Sequence, residues 1–117
     1  MKMKSIETKY GVIYGRNALI LLSTGLNLHP FTLNIKASLS LSACKPEVIN
    51  VPDETITFIF EKIEHLSIYK LDDYPNEKYT NSSFDEIEGE YKNNKKRFAL
   101  TTYDHVFDVI GHCKVIY

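Results

Sequence analysis

Polar and apolar residues alternate without a break from Phe31 to Ala43. Every odd-numbered position in this stretch is apolar and every even-numbered position is polar. A period of two separates the side chains onto the two faces of an extended chain, so it predicts an antiparallel strand with one buried and one solvated face. At this length the strand is expected to bend or to take part in two sheets.

Apolar segments on both sides of this stretch predict further strands. The upstream segments are predicted strands, at Gly11–Gly15 and Ala18–Thr24. Thr24–Pro30, which connects them to the long alternating stretch, has the Gly, Asn and Pro content of a loop. Pro46 and Pro52 indicate an irregular connection after that stretch. Gly111 interrupts the last apolar segment and is expected to mark a bulge. The remaining predicted strands are Thr55–Phe60, Leu66–Leu71, Arg97–Tyr103, Val106–Ile110 and His112–Tyr117.

Three segments also carry helical signals. Thr55–Phe60 and the residues after it have apolar positions at helical spacing, but branched and aromatic residues open a helix poorly and favour a strand. Ser83–Glu86 has capping-box spacing, which predicts one short helix there. Asp104 as an N-cap and Gly111 as a C-terminal residue would frame a one-turn helix in place of a strand.

Composition agrees with a β-rich fold. Val, Ile, Thr, Tyr and Phe supply 40 of the 117 residues, whereas Ala supplies four and Gln none. The length fits one domain over residues 1–117. We therefore predict a mainly β chain, either an antiparallel β-sandwich or a strongly curved sheet of about seven or eight strands with at most one or two short helices.

The formal net charge of −1 hides a strong segregation of charge. Residues 53–90 contain eleven acidic and three basic side chains, whereas basic residues dominate on both sides. An acidic middle repels phosphates, which disfavours direct binding of nucleic acid, and it suits a basic protein surface. The alternative, that these carboxylates are only solvated faces of strands and loops, stays open.

Sequence motifs for catalysis, metals and membranes are weak in this chain. His105, Asp108 and His112 are the nearest approach to a catalytic or metal-binding group, but neighbouring strand residues diverge, so we expect no enzyme, metal or cofactor. The absence of an apolar run of spanning length and of a signal pattern predicts a cytoplasmic protein with no membrane partner. Cys44 and Cys113 are then expected to be reduced, although a single disulfide stays open.

Two segments, Ile56–Ile63 and Phe98–Ile110, resemble short sequences found in small β-rich bacterial proteins, some of which are similar to immunity proteins. Such proteins bind and neutralise a cognate toxin, including toxins of contact-dependent growth inhibition. The resemblance implies a non-enzymatic cytoplasmic protein whose partner is a toxin domain, often a nuclease with a basic active site.

The leading hypothesis is therefore an immunity protein that covers a basic toxin cleft with an acidic, tyrosine-bearing surface. Tyrosine combines apolar contact area with a polar tip and is enriched in interfaces, although it also occurs at sheet edges for structural reasons. The alternative hypothesis is a small-ligand protein with an apolar pocket lined by Phe58, Phe60, Phe98 and Phe107. The predicted partner-binding residues are Asp72, Asp73, Tyr74, Glu77, Asp85, Glu86, Glu88 and Glu90.

Overall fold

A computed structural model describes residues 2–75 and 82–117, which form two antiparallel sheets. Glu77 lies outside the described residues. Short 3-10 turns at Leu41–Ala43, Leu71–Asp73 and Lys92–Asn94 are the helical segments of the described chain. The strands are β1 (Met3–Ser5), β2 (Glu7–Thr8), β3 (Gly11–Ile13), β4 (Leu19–Leu28), β5 (Phe31–Leu39), β6 (Cys44–Lys45), β7 (Glu54–Lys70), β8 (Phe84–Ile87), β9 (Lys96–Thr101) and β10 (His105–Ile116).

The larger sheet has seven strands in the order β1-β8-β9-β10-β7-β5-β4, and the smaller one has the order β2-β3-β6. The strands of the described residues all pair in antiparallel orientation. The predicted mainly β, antiparallel fold class is confirmed.

The core lies between one face of the large sheet and the small sheet. Ile13 of β3 and Cys44 of β6 belong to the same buried cluster as Ile35, Phe58 and Phe60 of the large sheet. Along β5, Leu33, Ile35, Ala37 and Leu39 of the predicted apolar face are buried and Phe31 is partly buried, whereas Asn34 and Lys36 are exposed. Aromatic rings extend this core, with Phe58 and Phe84 in edge contact at 4.9 Å between centroids.

A bulge in β7 explains why its apolar spacing also resembles that of a helix. Ile110 of β10 pairs with His65, but His112 pairs with Glu61, so Gly111 faces residues 62–64. Lys62 adopts a positive φ of 50° there, and Ile63 is buried. The bulge thus brings Ile63 into the core while its charged neighbours stay exposed, which a regular period of two would not allow.

β7 has two neighbours over its first half and one over its second. Its first residues pair with β5 from Glu54 to Phe60, whereas its pairing with β10 continues to Lys70. The β4–β5 hairpin therefore extends beyond its last pair with β7, Leu33 with Phe60. As a result, the two parts of the sheet separate at this end and the core face is left partly uncovered.

Several sequence predictions are wrong at the level of elements. The predicted loop Thr24–Pro30 is a strand as far as Leu28, because β4 continues in the hairpin with β5. The predicted helix after Ser83 is strand β8, held between β1 and β9. The predicted segments around residues 55–71 and 106–117 are single strands, β7 and β10, and the expected bulge at Gly111 is confirmed.

Both cysteines are free thiols. Burial raises the pKa of the Cys113 thiol to about 12 and also raises the pKa of Cys44. A thiol with a raised pKa holds less of the reactive thiolate at neutral pH, so neither residue resembles a catalytic cysteine.

We predict that replacing Gly111 with Ala destabilises the protein by about 1–3 kcal/mol. A Cβ at Gly111 would lie 2.8 Å from the carbonyl oxygen of Glu61 and 3.2 Å from the Cα of Ile63, both of them backbone atoms. Urea unfolding measures the loss. The matched control is Gly25→Ala, where the nearest heavy atom is 4.0 Å away, and its free energy of unfolding should change by less than about 0.5 kcal/mol. Equal effects at both positions would contradict the tight bulge.

We predict that both thiols alkylate slowly while the protein is folded. With a pKa of about 12 in place of 9.0, the thiolate fraction of Cys113 at neutral pH falls about a thousandfold. Mass spectrometry after timed iodoacetamide treatment should show rates at least about 100-fold below those of the urea-unfolded chain. Equal rates in the folded and unfolded protein would contradict this account of the two thiols.

Candidate protein-binding surface

A polar recess lies where β7 ends and β10 begins. It has a volume of about 550 Å³, and the 3-10 turn after β7 forms one of its walls. The turn is fixed to the start of β10, because the N–H of Leu71 donates to the carbonyl of Asp104 at 2.8 Å. The recess thus collects charged side chains of both signs with a surplus of carboxylates. Its lining residues are Arg16, Lys70, Leu71, Asp72, Asp73, Asp104 and His105.

Arg16 is held at the rim of this recess by Tyr103. Its Nε donates to the carbonyl of Tyr103 at 3.0 Å, and its guanidinium lies 4.9 Å from the centroid of the Tyr103 ring. The ion pair between Arg16 and Asp72 is long, at 4.0 Å, and the Asp72 side chain is 86% exposed. An exposed pair of this length contributes little, so the Asp72 carboxylate stays available to a partner.

An apolar cleft of about 280 Å³ adjoins the recess and shares His105 with it. It forms where the β4–β5 hairpin and β7 separate, so its walls belong to the same sheet face as the core. Ile68 of β7 and Leu26 of β4 are half-exposed at its rim, at 50% and 54%. Phe107 is buried at its floor, and the other lining residues are Leu21, Thr24 and Leu33.

A buried ion pair on the opposite face of the sheet anchors the acidic turn. Asp108 accepts hydrogen bonds from Arg97 Nε at 2.8 Å and Nη2 at 2.9 Å, and the hydroxyl of Tyr74 donates to it at 2.9 Å. The bond to Asp108 raises the pKa of the Arg97 guanidinium. Tyr74 also packs edge-on against Tyr69, with centroids 5.4 Å apart. Because Tyr74 directly follows the turn, these contacts fix where Asp72 and Asp73 project.

The seven predicted partner-binding residues that the structure describes do not form one surface. Asp72 and Asp73 are exposed and line the recess. Tyr74 is half-buried against Asp108, and Glu77 lies outside the described residues. Asp85 is fully buried, so it is not part of an exposed acidic surface. Asp85 pairs with Ser5 of β1 and Ala99 of β9, a placement that the charge pattern alone could not indicate.

The remaining predicted carboxylates lie at the C-terminal end of β8 and on the turn that follows it. Glu86 is half-buried and forms an ion pair with Lys96 at 3.5 Å, and Glu88 lies 4.0 Å from Lys2. Glu88 and Glu90 are exposed on the turn after β8. Through β9, the end of β8 is in register with Ile110, five residues along β10 from His105, and that is a separation of roughly 17 Å.

The structure does not bring the weak catalytic candidates together. His105 lies at the cleft, whereas Asp108 points to the opposite face and is bound by Arg97. His112 is exposed beyond the bulge. No group of three or more potential metal ligands occurs among residues 2–75 and 82–117.

The four phenylalanines of the predicted ligand pocket belong to the core. Phe58, Phe60, Phe98 and Phe107 are all buried, and Phe60 contacts Phe98 with centroids 5.8 Å apart. Phe107 alone among them lines the cleft. Sequence reasoning missed the cleft because Leu26 lies in a segment predicted to be a loop, and because strand register brings it together with residues of β5, β7 and β10.

Comparison with known proteins yields no relative: no family model, curated protein or solved structure matches the chain. In the part of the chain that the structure describes, no helix has the length and apolar character needed to cross a membrane. What the protein binds is therefore inferred from its own residues and their geometry.

We predict that Arg97→Leu destabilises the fold by about 3–5 kcal/mol, because it leaves the Asp108 carboxylate buried without its bidentate cation. The Asp108 side chain is only 4% exposed. Thermal and urea unfolding measure the loss. Lys45→Met is the control, since it removes an ion pair whose side chains are 58% and 53% exposed, and it should leave the unfolding midpoint unchanged. A small effect of Arg97→Leu would show that the pair does not anchor the turn.

Proposed function

We propose that this chain is a non-enzymatic binding protein of the immunity type. It docks the apolar cleft and the adjoining carboxylate-bearing turn onto a cognate protein toxin and thereby covers the toxin's basic active-site cleft. A cytoplasmic location and a bacterial source belong to the same proposal. The observation that carries it is the juxtaposition of the uncovered core face with the exposed carboxylates of Asp72 and Asp73 at one end of the sheet.

The arrangement has the anatomy of a protein interface. Such interfaces combine an apolar centre with a polar rim, and large side chains at the centre contribute most of the affinity. Here Leu26 and Ile68 border the apolar centre, with Phe107 at its floor. Tyr103, which is 42% exposed and held against Arg16, extends the surface with an amphipathic ring.

The charge of the rim favours a basic partner. The recess contains three carboxylates against two permanent cations, and Arg16 is engaged with Tyr103. Asp72 and Asp73 project from a turn whose position is fixed by the hydrogen bond from the Tyr74 hydroxyl to Asp108. Carboxylates that are held in place lose little entropy on meeting lysine or arginine, and their field accelerates encounter with a positively charged surface.

A small apolar ligand is the second candidate, and the same cleft favours it. A volume of about 280 Å³ lies just below the range of roughly 300–1,000 Å³ typical of ligand sites. The two candidates differ in one observable. A small molecule that binds this cleft would raise the thermal midpoint by itself, whereas a docking surface requires the protein partner.

We predict that Ile68→Glu weakens binding of the partner at least about tenfold, because it places a charge in the apolar centre of the interface. The partner is first captured on the tagged wild-type protein from its source cells. The purified pair is then measured by surface plasmon resonance, and the partner's toxicity is measured with and without co-expression of each variant. The matched control is Ile116→Glu, since Ile116 is 52% exposed against 50% for Ile68 and lies at the far end of β10.

Ile116→Glu should bind and protect as wild type does. Equal loss of affinity in both variants would indicate a general effect on the fold, and no loss in either would show that the cleft is not the interface. A partner that is harmless when expressed alone would leave a binding protein but contradict the immunity proposal.

We predict that the double variant Asp72→Lys/Asp73→Lys slows association with the same partner about tenfold at low salt and flattens its salt dependence. The dissociation rate should change less, since rim charges act mainly on encounter. The control is Glu88→Lys/Glu90→Lys, which makes the same change of charge on the turn after β8, away from the recess. Equal slowing by both pairs would indicate that net charge, and not the recess, steers the partner.

A further inference from the structure

The two edges of the seven-stranded sheet differ in their protection. At one edge, β1 has three residues and carries Lys4, with Lys2 directly before it. At the other edge, β4 has ten residues. Short strands and lysines are the usual means of preventing an edge from pairing with another chain. The β1 edge has both, and the β4 edge has neither.

β4 presents an open and uncharged backbone edge. The carbonyl of Leu19 accepts a hydrogen bond from the N–H of Tyr103, so the open edge begins at Ile20. From Ala18 to Leu28 the sequence contains no charged residue and no proline. One bulge, at Leu22, interrupts the pairing with β5, and Ser23–Leu28 pair regularly. The outer edge of this regular part can therefore accept another strand.

Large aliphatic side chains accompany this edge. Four of them on β4 are about half exposed: Ile20 45%, Leu22 54%, Leu26 54% and Leu28 62%. Leu26 and Leu28 pair with Leu33 and Phe31, which places both leucines on the core face of the sheet. An added strand would cover these side chains as well as satisfy the backbone.

We propose that β4 is a self-association site, at which a second copy of this chain adds its own β4 in antiparallel orientation across a two-fold axis. The two large sheets then join into one continuous sheet. An axis near Gly25 or Leu26 places the core face of one copy beside the core face of the other, so each copy's leucines continue the other's apolar row. This interface lies outside the acidic recess and shares Leu26 with the rim of the cleft, but it does not depend on the proposed function.

Charge and strand pairing both favour a second copy as the occupant. Because β4 carries no charge, two copies meet without repulsion, whereas the carboxylates of the recess would repel their own copies. The regularly paired part of β4, Ser23–Leu28, meets a matching segment of the second copy, and the pairing covers Leu26 and Leu28 of both copies together with their backbone edges.

Sedimentation velocity of the full chain over a dilution series tests the proposal. We expect a reversible dimer with twice the 13.5 kDa mass of the chain. Leu26→Lys should raise its dissociation constant at least about tenfold, because it places two lysines beside each other at the new strand pair and removes apolar contact. Since Leu26 is about half exposed, the variant should fold, which its circular dichroism and thermal midpoint check.

Two control variants separate the edge from other surfaces. Asn34→Lys adds the same charge to the exposed face of β5, opposite Gly25 but away from the edge, and should leave the dimer intact. Ile68→Glu changes the cleft without changing the edge and should also leave it intact. As a second readout, backbone amides of Ser23–Leu28 should exchange with deuterium more slowly as protein concentration rises.

A chain that stays monomeric at every concentration would overturn the proposal. So would a dimer that persists in Leu26→Lys, or one that Asn34→Lys disrupts equally. A monomer whose β4 amides become protected only when the partner protein is added would also overturn self-association and would assign the edge to an extended segment of that partner.

Discussion

The rest of the structure depends on one constraint, which is that β7 is longer than its pairing with β5. Up to Phe60 this strand is paired on both sides, and the small sheet covers the core face beside it. Beyond Phe60, β10 is the one strand that pairs with it among the described residues, because β5 continues with β4 into the hairpin tip. The half paired on both sides holds most of the core, whereas the half paired on one side leaves Leu26 and Ile68 exposed above the buried Phe107. A cleft therefore forms because β7 continues beyond Phe60, the last of its residues that pairs with β5.

Electrostatics then determine how the divided end is presented. Asp108 is buried on the opposite face and needs both the bidentate Arg97 and the Tyr74 hydroxyl, because an unpaired carboxylate in the interior is costly. The hydrogen bond from Tyr74 to Asp108 fixes the chain just after the 3-10 turn that carries Asp72 and Asp73. The same interaction that stabilises the fold thus holds two exposed carboxylates beside an apolar surface, and these are the features on which the proposed docking depends.

The sequence predicts local structure where one face dominates. The alternation from Phe31 to Leu39 was predictable because it depends on neighbouring residues alone, and Gly111 marked the position of the irregularity although the extra residues lie in β7. Gly25 and Asn27 suggested a loop, yet both lie on the exposed face of β4, where turn-forming residues cost little. The capping-box spacing after Ser83 failed because pairing on both sides of β8 outweighs a local signal. Asp72 and Asp73 could be predicted as surface carboxylates. Strand register brings Asp104, Tyr103 and the cleft close to them, and composition does not encode strand register.

The most direct test of this account is methyl NMR of the free protein with a soluble paramagnetic probe, which broadens resonances according to their access to solvent. The divided sheet predicts strong broadening at Ile68, and protection of Ile35 and Ile56, which belong to the buried core. If Ile68 were as protected as Ile56, the core face would be covered at both ends. The cleft, and the docking proposal that depends on it, would then be wrong.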